Sequence, residues 1–279
     1  MRVRQALVPT VLSFVLLGSQ VVARATQIVG TFNSLRSTTA NFLMGDYTHE
    51  AQAAFDTNFP NATIESTSTL TTQFLSGINT LVIGSPSTES TGITPLSTSE
   101  QSALLNFVLA GGNAFLIADG YIPYTAAAES FVKPFGMTIV DDGLSGVLYA
   151  TPTTQSNPVI NGPFGDVTTI PLYGAGIITN LGPYATTLAT MNALNKPVLA
   201  EIPAHALGPT SGRVLIVTNA AFMMDDAAGG FFSQDPQLFL NAMNYALTPE
   251  PTSLALATVA LAGFAVAGMR GRFRHPSAH

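Results

Sequence analysis

The sequence predicts an α/β domain built on a mostly parallel sheet with helices on both faces. Three observations carry this. Short apolar runs alternate with helical patterns along residues 26–248. The run at 80–83 (TLVI) is apolar without alternation, which suits a strand covered on both sides. Residues 80–118 read as strand, capped helix, Gly-Gly stop and strand, the order of a β-α-β unit.

The elements follow in order. Residues 27–32 form a short β-rich segment, 50–58 a helix and 62–65 a strand. Ser97-Thr98-Ser99-Glu100 is a capping box, in which Ser97 bonds the third helical amide and Glu100 reaches back. Leu104, Leu105, Val108 and Leu109 then give one face an apolar stripe. Gly111-Gly112 ends that helix with a residue able to take positive φ, and 113–118 is the next strand. Residues 137–202 change to short β-like pieces rich in Gly and Pro, at 147–149, 167–170, 187–190 and 198–202. This stretch reads as a β-rich extension of the same sheet or a small inserted lobe. Residues 213–218 form a buried strand. Asp235-Pro236 supplies an N-cap and a proline at the first helical position. Leu238, Phe239, Ala242, Met243 and Ala246 line one face of the helix that follows.

Composition removes several functions. The chain of 279 residues is 47% hydrophobic and 9% charged, against about 25% charged in ordinary globular proteins. It has no Cys, so it has no disulfide, no Cys nucleophile and no thiolate metal site. No basic stripe is present to hold nucleic acid. The formal charge of −6 is segregated. Arg2, Arg4 and Arg24 stand at one end, and Arg270, Arg272 and Arg274 at the other. The body keeps four basic residues and 15 of the 16 acids.

The ends read as addresses. Arg2 and Arg4, an apolar run over 6–18 and Ala23-Arg24-Ala25 make a secretory signal over residues 1–25. Residues 254–269 hold sixteen positions without a charge, and Ser253 extends them to a membrane helix over 253–269. The arginines that follow place its far end in the cytoplasm and the body outside.

Pro249-Glu250-Pro251, the short apolar helix and Arg270, Arg272 and Arg274 stand in that order over residues 249–279. This tail resembles the PEP-CTERM sorting signal of Gram-negative bacteria. The resemblance implies recognition and processing by an exosortase-type enzyme after export through the secretion machinery. It implies a place in the cell envelope, at the cell surface or in the extracellular matrix, often beside exopolysaccharide.

The body has its own resemblance. It rests on residues 79–84 (NTLVIG), 96–119 with the Gly-Gly strand, 157–162 (NPVING) and 212–247 with Leu240-Asn241-Ala242-Met243-Asn244-Tyr245. Together these resemble the class I glutamine-amidotransferase-like superfamily, in the branch of the gliding-motility ABC-transporter auxiliary domain. The resemblance implies a flavodoxin-like sheet. The amidotransferase chemistry is excluded, because its nucleophile is a Cys. A Ser version wants Gly-x-Ser-x-Gly, and Gly84-Ser85-Pro86 does not supply it.

In a parallel sheet a ligand sits at the carboxyl ends of the strands. The candidate binding residues there are Asn33, Ser85, Asp119, Tyr121 and Asn219, with Ser34 and Gly120 beside them. Asp46, His49 and Glu50 have ligand-type side chains, but acids at a helix start also suit its dipole, and no metal site is assigned. Asp141-Asp142 and Asp225-Asp226 read as turns. No cofactor is expected. The expected function is an exported surface protein whose non-catalytic body binds polysaccharide or protein. The alternative is a carbohydrate- or peptidoglycan-directed hydrolase using Asp119, with His49 as a second catalytic group.

Overall fold

The computed structural model describes residues 27–36, 47–84, 87–88, 92–120, 124–141, 143–226 and 229–248. Ser85, Tyr121, Asp46, Asp142, residues 1–25 and the whole 249–279 tail lie outside them. Among the described residues no helix is long and apolar enough to cross a membrane.

The elements are β1 (Gln27–Phe32), α1 (His49–Asn58), β2 (Ala62–Thr67), α2 (Thr72–Ser76), β3 (Thr80–Gly84), α3 (Thr98–Leu109), β4 (Asn113–Ile117) and α4 (Thr125–Val132). There follow β5 (Thr138–Asp141), β6 (Val147–Pro152), β7 (Ile170–Tyr173), β8 (Gly176–Asn180), β9 (Thr186–Met191), β10 (Lys196–Ile202), β11 (Val214–Val217) and α5 (Pro236–Leu247). One nine-stranded sheet runs β7-β6-β9-β10-β11-β4-β3-β1-β2. Strands β2, β1, β3, β4 and β11 are mutually parallel. Strands β10, β9, β6 and β7 continue it antiparallel. The sheet is therefore mixed, where the sequence predicts a mostly parallel one. The parallel half keeps the 2-1-3-4-5 order of a doubly wound sheet.

Helices cover both faces. Phe115 and Ile117 of β4 point into the layer of α1 and α5, with Phe55, Leu238, Phe239 and Met243. Ala114 and Leu116 point into the layer of α2, α3 and α4, with Leu75, Leu104, Val108 and Phe131. The alternation of side chains along a strand produces this division.

The α3 capping box forms: the Glu100 amide bonds the Ser97 hydroxyl at 3.3 Å and the Ser97 amide bonds a Glu100 carboxylate oxygen at 2.9 Å. Gly111 takes φ +104° just beyond the helix. The buried stripe differs from the expected one. Ala103, Leu104, Phe107 and Val108 are buried, while Leu105 and Leu109 are half-buried. A period of 3.6 residues brings Leu104, Phe107 and Val108 to one side and turns Leu105 and Leu109 off it.

The strand expected at 167–170 begins at Ile170 instead and runs on through Pro171. Proline is tolerated there because β7 is an edge strand of the sheet. Helices α2 and α4 and strands β5 and β8 carry no clear sequence signal. Each is short, and α4 is alanine-rich, so their periodicity is weak.

Candidate functional site

The carboxyl ends of β1, β3, β4 and β11 meet at one edge of the sheet, and the described candidate residues there have separate partners. Asn33 follows β1. Its amide donates to the Thr67 carbonyl at 2.9 Å, and its side-chain oxygen accepts from the Leu35 amide at 3.1 Å. This is an Asx turn that shapes the loop. Asp119 follows β4 and is half-buried. Burial, and then the charge of Asp119, push the Tyr124 hydroxyl above its ordinary value.

Asn219 is 2% exposed. Its side-chain nitrogen donates to the Tyr173 carbonyl at 2.9 Å, and its oxygen accepts from the Tyr173 and Ala221 amides at 3.2 and 3.0 Å. This residue staples the end of β7 to the turn after β11. The β5–β8 pair closes over the same point. A Cβ at Gly120 would lie 2.5 Å from the Gly176 Cα. The Thr218 hydroxyl donates to the Gly176 carbonyl at 2.7 Å.

The structure assembles another group at this edge. Asp225 accepts from the His49 amide at 3.1 Å and the Glu50 amide at 2.8 Å, and lies 3.0 Å from His49 Nδ1. Burial pushes the Asp225 carboxyl up, but the Glu50 amide, the His49 ring and amide outweigh it, and the net shift is downward. Asp226 holds the Ser233 hydroxyl and amide. The sequence marks His49 as a helix start and the two acids as a turn, but nothing local says that one caps the other. Chemically, a ring nitrogen held by a carboxylate is the base–orienter half of a triad. His49 meets Asp225 and not Asp119, so the geometry does not unite the two residues of the hydrolase alternative.

Glu100 organises the neighbouring loops. Its carboxylate accepts from the Leu70 amide at 3.2 Å and forms an ion pair with Arg36 at 3.0 Å. Burial pushes this carboxyl up, yet the Ser97 and Leu70 amides, the Ser97 hydroxyl and Arg36 hold it below its ordinary value. Among the described residues no three His, Asp or Glu side chains gather as a metal set.

A cavity of about 730 Å³ lies at the opposite, amino edge, between α2 and α3. Its walls include Gln27 at the start of β1 and Leu247 at the end of α5, so both ends of the described body meet there. Nearby, the Arg213 guanidinium stacks 3.9 Å over the Tyr245 ring and donates to the Tyr245 carbonyl at 2.7 Å. The Tyr245 hydroxyl donates to Glu201 at 3.0 Å. Burial, then Glu201, push that hydroxyl up to about 12. This cluster fastens α5 to the sheet. Asn241, within the segment that carries the superfamily resemblance, accepts from the Phe164 amide and donates to the Gly165 carbonyl.

No family model matches the chain. No curated protein is detectably similar to it in sequence. Solved structures resemble it at low identity, one of them with a TM-score above 0.5. The mmIFT52 N-terminal domain superposes with a TM-score of 0.58 at 13% identity, over 81% of this chain and 99% of that one. A ThuA-like protein from Bacteroides uniformis gives 0.47 at 12% identity, over 80% and 91%. A GMP-synthase-type protein from Thermoplasma acidophilum gives 0.49 at 11%, over 80% and 94%. The first of these likenesses is one of fold alone.

Proposed function

We propose that the chain is an exported surface protein, sorted by an exosortase-type system, whose flavodoxin-like body binds polysaccharide or protein without catalysis. The observation that carries this reading is the order of parts in the sequence: a signal pattern at 1–25, then Pro249-Glu250-Pro251, an apolar run and three arginines in the tail. The non-catalytic part rests on the missing Cys and on the structural duties of Asn219 and Asp225. Replacing Pro249, Glu250 and Pro251 with alanine and fractionating the cells tests the sorting claim. Altered processing or location is expected, and an unchanged distribution overturns it.

One observation favours a second reading, a hydrolase. His49 and Asp225 stand as an imidazole–carboxylate pair at the carboxyl edge, with the His49 side chain 68% exposed. Hydrolysis of peptidoglycan or polysaccharide that disappears in both His49→Ala and Asp225→Asn would favour this reading over the first.

A further inference from the structure

We infer that the amino-edge cavity is a binding site for a neutral glycan. The inference rests on the reading of the body as a binding domain, and it gives that domain a place and a ligand class. The cavity holds about 730 Å³, within the range of small-ligand pockets. None of its lining residues is Asp, Glu, Lys or Arg. A cationic peptide finds no carboxylate on this wall, and a phosphate or uronic acid finds no Lys or Arg, only the His205 ring; a charge that loses water without gaining a partner is costly. The lining instead combines two kinds of surface. Amide and hydroxyl groups come from Gln27, Asn106 and Thr72, and apolar surface comes from Leu75, Ile78 and Phe107. A sugar ring presents the same two kinds, with hydroxyls at its rim and C–H groups on its faces.

The polar groups fall into two sets. Asn113 is committed to the fold: it accepts from the Arg213 amide at 3.1 Å and donates to the Ala246 carbonyl at 2.8 Å. It fixes the wall. Gln27 and Asn106 line the cavity and make no side-chain hydrogen bond among the described residues. A primary amide offers two donors and one acceptor oxygen, which matches the mixed donor and acceptor character of vicinal hydroxyls. The loop that closes one side carries His205 at φ +66°, a conformation that is uncommon for a non-glycine residue. Its amide donates to the Ser211 carbonyl at 2.9 Å, so the loop is pinned.

The test is titration calorimetry on the full-length chain, in a detergent without a sugar head group. Cellotetraose, mannotetraose and chitotetraose are the neutral probes, and tetragalacturonate is the charged control. At least one neutral tetrasaccharide is expected to bind and tetragalacturonate is not. The double variant Gln27→Ala, Asn106→Ala is expected to weaken binding about tenfold, the loss of two neutral hydrogen bonds. Ala110→Trp, at an exposed lining position after α3, is expected to abolish binding by filling the mouth. No binding of any neutral probe overturns the inference, as does tighter binding of tetragalacturonate. Neutral binding that both variants leave unchanged overturns the cavity assignment while the surface-protein reading stands. That reading fails separately, on the fractionation of the tail variant.

Discussion

Asp225 caps the first turn of α1 from a loop 175 residues away, through a 2.8 Å hydrogen bond from the Glu50 amide. The first amides of a helix have no partner within it, and a carboxylate there also meets the positive end of the helix dipole. Thr48, the residue before α1, makes no side-chain cap. The distant acid takes the place of a local one and ties the β11 turn to the start of α1.

Asp225→Ala should therefore lower stability by about 1–2 kcal/mol at pH 7, the usual cost of losing an N-cap. Asp225→Asn should lose less, since one acceptor oxygen remains. The Asp225 carboxyl is lowered in the folded state, so its contribution is full above the unfolded value near 3.8. It is lost as pH falls through the lower folded value. Urea unfolding of Asp225→Ala and the parent should converge as pH falls through that lowered value. A constant gap at all pH values would show that the charge is not what caps the helix.

Asp235 behaves in the opposite sense. It caps α5, accepting from the Leu238 amide at 3.4 Å, but its Oδ2 is buried without a hydrogen-bond partner among the described residues. Burial pushes this carboxyl up to about 6. The folded state thus favours the protonated acid, and stability falls as pH rises from near 3.8 through 6. Asp235→Ser keeps a good cap and removes the orphaned oxygen. Relative to the parent it should gain about 2 kcal/mol at pH 8 and little at pH 4, read from urea midpoints. An equal effect at both pH values would sink the argument.

These two acids also mark what was legible in the sequence. Local signals worked where the chain folds on its nearest neighbours. Ser97 with Glu100, Asp235 with Pro236, and the apolar face of α5 all sit where the pattern put them. Mixed pairing was harder to read, because β10, β9, β6 and β7 join the sheet through cross-strand contacts that leave no mark at fixed spacing. The duty of Asn219 was hidden for a related reason. Asn219 has the right residue type at the right end of the right strand, but its partner is the backbone of Tyr173, 46 positions earlier. The amino-edge cavity gathers Gln27, Asn106 and Leu247 from three distant segments, and no motif links them.

Asn219→Ala follows from that pairing. The substitution leaves the Ala221 amide without its partner in a buried setting, and the Tyr173 amide and carbonyl without theirs in a partly buried one. Each orphaned buried group costs about 1–3 kcal/mol unless water reaches it. A total loss of about 3 kcal/mol in urea unfolding is expected, with glycan binding at the opposite edge unchanged at temperatures where the variant is folded. A stable Asn219→Ala that loses binding would return Asn219 to the site and remove it from the frame.

Gly120→Ala probes how the carboxyl edge is closed. The added Cβ would lie 2.5 Å from the Gly176 Cα and 2.7 Å from Ile139 Cγ2. The first neighbour is backbone and cannot rotate away, so β8 must shift off the end of β4. That movement strains the Gly120 and Gly176 amides, which both donate to the Thr218 carbonyl at 3.2 Å. Overpacking of this kind costs about 1–3 kcal/mol, and the upper end is expected here because backbone meets backbone. Gly176→Ala meets the same contact from the other side, with a Cβ 2.5 Å from the Gly120 Cα. The two substitutions should each destabilise to a similar degree. Their combination should cost less than the sum, since the first already separates the strands. Strict additivity in a double-mutant cycle would show that the two glycines do not share one contact.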